Sequence, residues 1–98
     1  MIEIPAKDVE SLLSGGESLN IVDVREGYEV STGKIPGAVN IPFDFIGERL
    51  DELDPSQEYI MVCRSGARSH QATQFLLNQG YNANNMSGGM LDWNGEVV

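Results

Sequence analysis

One cysteine stands among two arginines and two serines in the run Cys63-Arg64-Ser65-Gly66-Ala67-Arg68-Ser69, and it is the only thiol in 98 residues. A free cysteine has a pKa near 8.5, so only about 3% is thiolate at pH 7 and the group is a weak nucleophile as it stands. Loop N–H groups, a helix N-terminus and nearby guanidiniums each stabilise the anion. A combined fall of roughly two units corresponds to ~2.7 kcal/mol and leaves the thiol mostly ionised. Gly66 lets backbone curl closely around a sulfur atom, and Ser65 and Ser69 offer hydroxyl donors. The chemistry this points to is nucleophilic, covalent catalysis at Cys63.

The flanking elements place the thiol where such chemistry is done. Tyr59 to Val62 is an apolar, partly β-branched run, as in a strand buried on both faces of a parallel sheet, and helical spacing begins after Gly66. Cys63 therefore lies between the C-terminal end of a strand and a helix N-terminus, the edge of an open α/β sheet at which ligands bind.

Charge is distributed to match. Residues 1 to 58 carry thirteen acidic and four basic side chains, residues 59 to 91 carry two arginines and no acid, and residues 92 to 98 carry two acids. The contributions are −9, +2 and −2, for a net −9. The acidic whole argues against nucleic acid and anionic membranes as partners, and the acid-free loop suits an anionic ligand or a thiolate. A lone cysteine forms neither an internal disulfide nor a cysteine-based metal cluster, which favours a reducing compartment. No stretch approaches the ~18 apolar residues of a membrane span, and Met1-Ile2-Glu3-Ile4-Pro5 lacks the pattern of a signal peptide, so a cytoplasmic location is expected. Nothing in the chain calls for a metal or an organic cofactor.

Ninety-eight residues predict one domain, residues 1–98, with a single core. Val9, Leu12 and Leu13 before Gly15-Gly16 predict a helix over 6–14. Strands are expected at Leu19 to Val24, Val39 to Ile41, Tyr59 to Cys63 and Ala83 to Met86. Helices are expected at Glu26 to Thr32, Phe43 to Leu50, after Gly66 with Ala72, Phe75 and Leu76 on one face, and around Met90 to Trp93. Ile35-Pro36-Gly37-Ala38 has the residues of a type II turn, and Gly80 fits the left-handed position after a helix. This alternation predicts a parallel sheet covered on both sides.

Four segments in order resemble the rhodanese-like sulfurtransferases in their single-domain form. They are Ile21-Val22-Asp23-Val24-Arg25-Glu26, Gly33-Lys34-Ile35-Pro36-Gly37-Ala38-Val39-Asn40-Ile41-Pro42, the Cys63 to Ser69 loop, and Gly88-Gly89 followed by Trp93. One departure is Lys34, where the family's second signature usually has histidine.

The resemblance implies a three-layer α/β fold with a mostly parallel central sheet of about five strands and helices on both faces. It also implies a thiosulfate sulfurtransferase (rhodanese) activity. Cys63 takes sulfur from a small anionic donor such as thiosulfate and holds it as a persulfide within the loop Arg64, Ser65, Gly66, Ala67 and Arg68. A thiophilic acceptor then removes it: cyanide, a small thiol or a protein thiol. With no second cysteine, the acceptor comes from outside, and a monomer is expected. Ser69, Asp23 and Arg25 are read as supporting residues. The related cysteine phosphatases and arsenate reductases place five residues between cysteine and arginine; here four intervene and Ser69 occupies the arginine's place, which argues against phosphate chemistry. The alternative is a sulfur-relay or protein-binding module with little turnover of its own. His70 points away from the Ala72, Phe75, Leu76 face and is expected to be an exposed helix position, while Met90 and Trp93 are expected to pack in the core.

Overall fold

In the computed structural model, which describes residues 1–98, five parallel strands form one sheet in the order β1-β5-β4-β2-β3. The strands are β1 Glu3–Pro5, β2 Asn20–Asp23, β3 Val39–Asn40, β4 Glu58–Val62 and β5 Asn82–Ser87, and the helices are α1 Ala6–Ser14, α2 Gly27–Val30 and α3 Ala67–Asn78. No helix is long and apolar enough to cross a membrane.

Side chains alternate across a strand, so β4 feeds two cores. Met61 and Cys63 join Val22, Val24, Ala72 and Leu76 on the α3 side, while Ile60 and Val62 join Val9, Ile21, Ile35 and Met86 on the α1 side. Burial on both faces is why Tyr59 to Val62 reads as a continuous apolar run rather than an alternating one. The register sets Asp23 beside Val62, and the Val24 N–H donates to the Val62 carbonyl at 2.8 Å. The ends of β2 and β4, and the loops that leave them, are thereby held side by side at one sheet edge.

One turn locks the approach to β3. Gly37 has φ +81° and the Ala38 N–H donates to the Ile35 carbonyl at 3.1 Å, the geometry of a type II turn. Lys34 braces it, its Nζ donating to the Ala38 carbonyl at 2.9 Å.

Three elements differ from the sequence reading. Phe43 to Leu50 is not a helix: two short 3-10 turns, Phe43–Phe45 and Leu50–Glu52, flank a turn. Gly47 weakens a helix there, and burying Ile46 and Leu53 against the α3-side core fixes the segment in a tighter path. β1 is an additional edge strand, too short for any periodicity and ended by Pro5, which suits an edge. In α3 the buried side chains are Ser69, Ala72, Thr73 and Leu76; Phe75 lies at the margin and is partly exposed.

Candidate active site

Cys63 follows the last residue of β4 and is 1% exposed, with its side chain turned to the start of α3. Two well-formed hydrogen bonds reach its sulfur. The Gly66 N–H lies 3.0 Å from Sγ and the Ser69 hydroxyl 3.2 Å, the latter wholly buried on the first turn of α3. Burial opposes ionisation of the thiol. Hydrogen bonds from the Ser69 hydroxyl and from the backbone N–H groups of Ser69, Gly66 and Ser65 outweigh it, and hold the Cys63 pKa below its ordinary value.

Gly66 makes this curl possible. Its φ of +103° is a left-handed conformation that other residues adopt only under strain, and a Cβ there would sit 3.4 Å from the Gly88 nitrogen. The other side of the loop is held by a 3-10 turn, Gly89–Asp92. The Met90 N–H donates to the Cys63 carbonyl at 2.9 Å and the Leu91 N–H to the Arg64 carbonyl at 3.0 Å. The carbonyls of Cys63 and Arg64 are thus taken up by the 3-10 turn, leaving the sulfur among donors.

That arrangement depends on Gly89. A Cβ at Gly89 would fall 2.6 Å from the Cys63 carbonyl oxygen and against the Arg64 carbonyl, and all of these are backbone atoms with nowhere to move. Gly89→Ala is expected to lower stability by about 2–3 kcal/mol and to displace the Cys63 loop. The check is a urea midpoint together with the rate of Cys63 alkylation; a variant matching the parent in both would show that the contact is easily relieved.

The arginines have different surroundings. Arg25 is 5% exposed and held by its neighbours: Nε and Nη2 donate to both carboxylate oxygens of Asp23 at 2.8–3.1 Å, Nη2 also donates to the Gly33 carbonyl at 2.8 Å, and Nη1 to the Glu29 carbonyl at 3.3 Å. Asn40 donates to the carbonyls of Asp23 and Arg25 at 2.8 and 2.9 Å, tying β3 to the same loop. This pair fixes the β2–α2 loop and commits all but one of the Arg25 guanidinium donors to the protein itself.

Arg68 makes a two-pronged pair with Glu29, both N···O distances 2.8 Å, across 39 positions of sequence. Hydrogen bonding from Arg68 is the largest influence on Glu29; with the Glu26 N–H and Arg25 it overcomes burial and brings the carboxyl down to about 2. Arg64 is exposed and forms no ion pair. It is the loop's free cation. Beside it runs a groove of about 500 Å³ lined by Arg25, Tyr28, Glu29, Arg64, Met90 and Leu91, with Tyr28 and Leu91 mostly exposed.

The structure brings Cys63, Gly66 and Ser69 into contact, sets Arg64, Ser65 and Ala67 on the exposed side of the loop, and uses Asp23 and Arg25 as a brace beside it. His70 is half exposed and its Nδ1 lies 3.1 Å from Glu3 Oε2, away from the sulfur. Met90 and Trp93 pack partly buried against the α1-side core. Sequence reading did not single out Glu29 as Arg68's partner, nor the backbone donors of Met90 and Leu91. A glutamate on a four-residue helix carries no local signal of a contact made with another helix.

The rhodanese-like domain family matches residues 5–96. YtwF of Bacillus subtilis is 40% identical over 95 residues, covering 97% of this chain and 92% of its own. A sulfurtransferase of Allochromatium vinosum is 36% identical over 93% of this chain and 86% of its own. Among solved structures, a rhodanese-like domain protein from Staphylococcus aureus superposes with a TM-score of 0.93 at 33% identity, covering 100% of this chain and 97% of that one. Because the match spans nearly the whole chain and each relative aligns over most of its own length, the chain belongs to the rhodanese-like domain family.

Proposed function

We propose that this protein is a sulfurtransferase of the thiosulfate type, working through a persulfide on Cys63. The observation that carries the reading is the sulfur itself: a thiol with a lowered pKa, cradled by the Gly66 N–H and the Ser69 hydroxyl at a helix N-terminus. The naming of the Allochromatium vinosum relative supports sulfur transfer in general.

The Cys63 thiolate attacks the outer sulfur of thiosulfate. A new S–S bond forms at Cys63, the old one breaks, and sulfite leaves with the electron pair. The persulfide keeps one negative charge, which the cradle that held the thiolate also stabilises. Cyanide or a thiolate then attacks the outer sulfur, and the Cys63 thiolate departs and is regenerated. No general base is required at either step, consistent with His70 being held by Glu3.

Arg64 draws in the donor dianion. We further propose a cytoplasmic, monomeric protein with no nucleic-acid or membrane partner. A relay role to a protein thiol has one specific observation in its favour, the exposed Tyr28 and Leu91 along the groove that begins at Arg64.

Initial rates of thiocyanate formation from thiosulfate and cyanide test the proposal. Parallel lines in double-reciprocal plots are expected for the ping-pong scheme, with negligible hydrolysis of an aryl phosphate. Persulfide transfer to a protein thiol without cyanide turnover would favour the relay role, and robust phosphatase activity would overturn the sulfur reading.

A further inference from the structure

Asn85 is a polar residue on β5, 2% exposed, on the sheet face covered by α3. Its Nδ2 donates to the Gly66 carbonyl at 3.2 Å and to Glu3 Oε1 at 2.8 Å. The amide has one workable orientation. Turning it over would set Oδ1 against two acceptors, a carbonyl and a carboxylate. In the orientation it takes, Oδ1 is buried without any hydrogen-bond partner. An orphaned buried acceptor lowers stability, and an apolar side chain of similar shape would avoid that loss. What the position gains from asparagine is the donor to Gly66.

The contact closes a ring. Gly66's carbonyl also accepts the His70 N–H at 3.1 Å, His70 Nδ1 lies 3.1 Å from Glu3 Oε2, and Glu3 Oε1 receives the Asn85 amide. The Asn85 N–H donates to the Ile2 carbonyl at 3.0 Å, anchoring the ring to the residue that leads into β1. β1, β5, the first turn of α3 and the catalytic loop are thus joined through one carbonyl. A trans peptide carries its C=O and N–H on opposite edges, so fixing the Gly66 carbonyl also fixes the Ala67 N–H. It equally limits the rotation of Gly66, whose own N–H meets Cys63 Sγ.

We propose that Asn85 is a positioning residue for the Cys63 loop, holding the left-handed Gly66 so that its N–H stays on the sulfur. Its role does not depend on the identity of the sulfur donor, and it rests on the sulfur-transfer reading only for its kinetic consequence.

The test is the pH profile of Cys63 alkylation by iodoacetamide in the parent, Asn85→Leu and Glu3→Ala, with melting temperatures measured alongside. Asn85→Leu is expected to melt no lower than the parent, because the orphaned acceptor is gone. Its alkylation midpoint is expected to rise by about half a unit to one unit. Persulfide formation with thiosulfate is expected to slow about tenfold. Glu3→Ala, on a half-exposed edge strand, removes the acceptor that orients the amide and is expected to move the midpoint the same way by less.

An unchanged profile in a folded Asn85→Leu overturns the inference. Should that variant not fold, an unchanged profile in Glu3→Ala does so. Alkylation involves no sulfur transfer, so these outcomes are independent of whether the parent forms a persulfide; its failure to do so would count against the proposed function alone.

Discussion

Cys63→Ser is expected to fold like the parent and to lose sulfur transfer by on the order of 10⁴-fold or more. A serine hydroxyl fits the same cradle, where the Gly66 N–H and Ser69 hydroxyl supply partners, so stability should change by no more than about 1 kcal/mol. The chemistry has no such continuity. Ser69 donates to the sulfur and offers no base, and His70 is paired with Glu3, so nothing in the site would deprotonate a serine. Thiocyanate release and thermal melting measured on one preparation separate the two effects. Residual turnover above a hundredth of the parent's would mean that another group carries the sulfur.

The second large effect distinguishes two arginines of the same loop. Arg64 is exposed and unpaired, so Arg64→Ala is expected to leave stability within about 0.5 kcal/mol of the parent. It should lower kcat/KM for thiosulfate about ten- to thirtyfold at low salt, mostly through KM, with the difference shrinking as salt rises past a Debye length of about 8 Å. Arg68→Ala acts through Glu29. The glutamate side chain is 15% exposed and would lose its two-pronged partner, leaving a carboxylate supported only by the Glu26 N–H and the nearby Arg25 beside the groove. Because Arg68 is itself 34% exposed, solvent screening reduces the loss of stability to about 1–2 kcal/mol. Freed of Arg68, Glu29 would also repel a dianionic donor. Urea midpoints and kinetics at two ionic strengths resolve the pair: equal destabilisation by both substitutions, or a thiosulfate KM unmoved in Arg64→Ala, would contradict this assignment.

The residues that announced themselves in the sequence are those whose signals are local. An apolar run ending at a polar glycine loop is visible within a dozen residues, so β4, the Cys63 loop and the start of α3 are legible together. The Pro36-Gly37 turn is legible for the same reason, because its chemistry lies in the two residues that form it. Phe43 to Leu50 misled because its apolar spacing suits a helix, whereas packing of Ile46 and Leu53 against the core decided the path. The partner of Arg68 and the polar ring through Asn85 arise from strand register and helix placement across tens of residues. Asn85 meets Glu3 only because β5 pairs with an edge strand too short to predict. Gly88-Gly89 was visible as a pair, but the need for it lies in the Cys63 and Arg64 carbonyls it must pass.

The proposed reaction requires Cys63 to carry sulfur as a persulfide. Intact-protein mass spectrometry after incubation with excess thiosulfate, with Cys63→Ser alongside, addresses it directly. A gain of about 32 Da is expected in the cysteine form alone, one sulfur atom, removed on adding cyanide or a thiol. No adduct with thiosulfate or a persulfide donor, or an equal adduct on the serine variant, would contradict it.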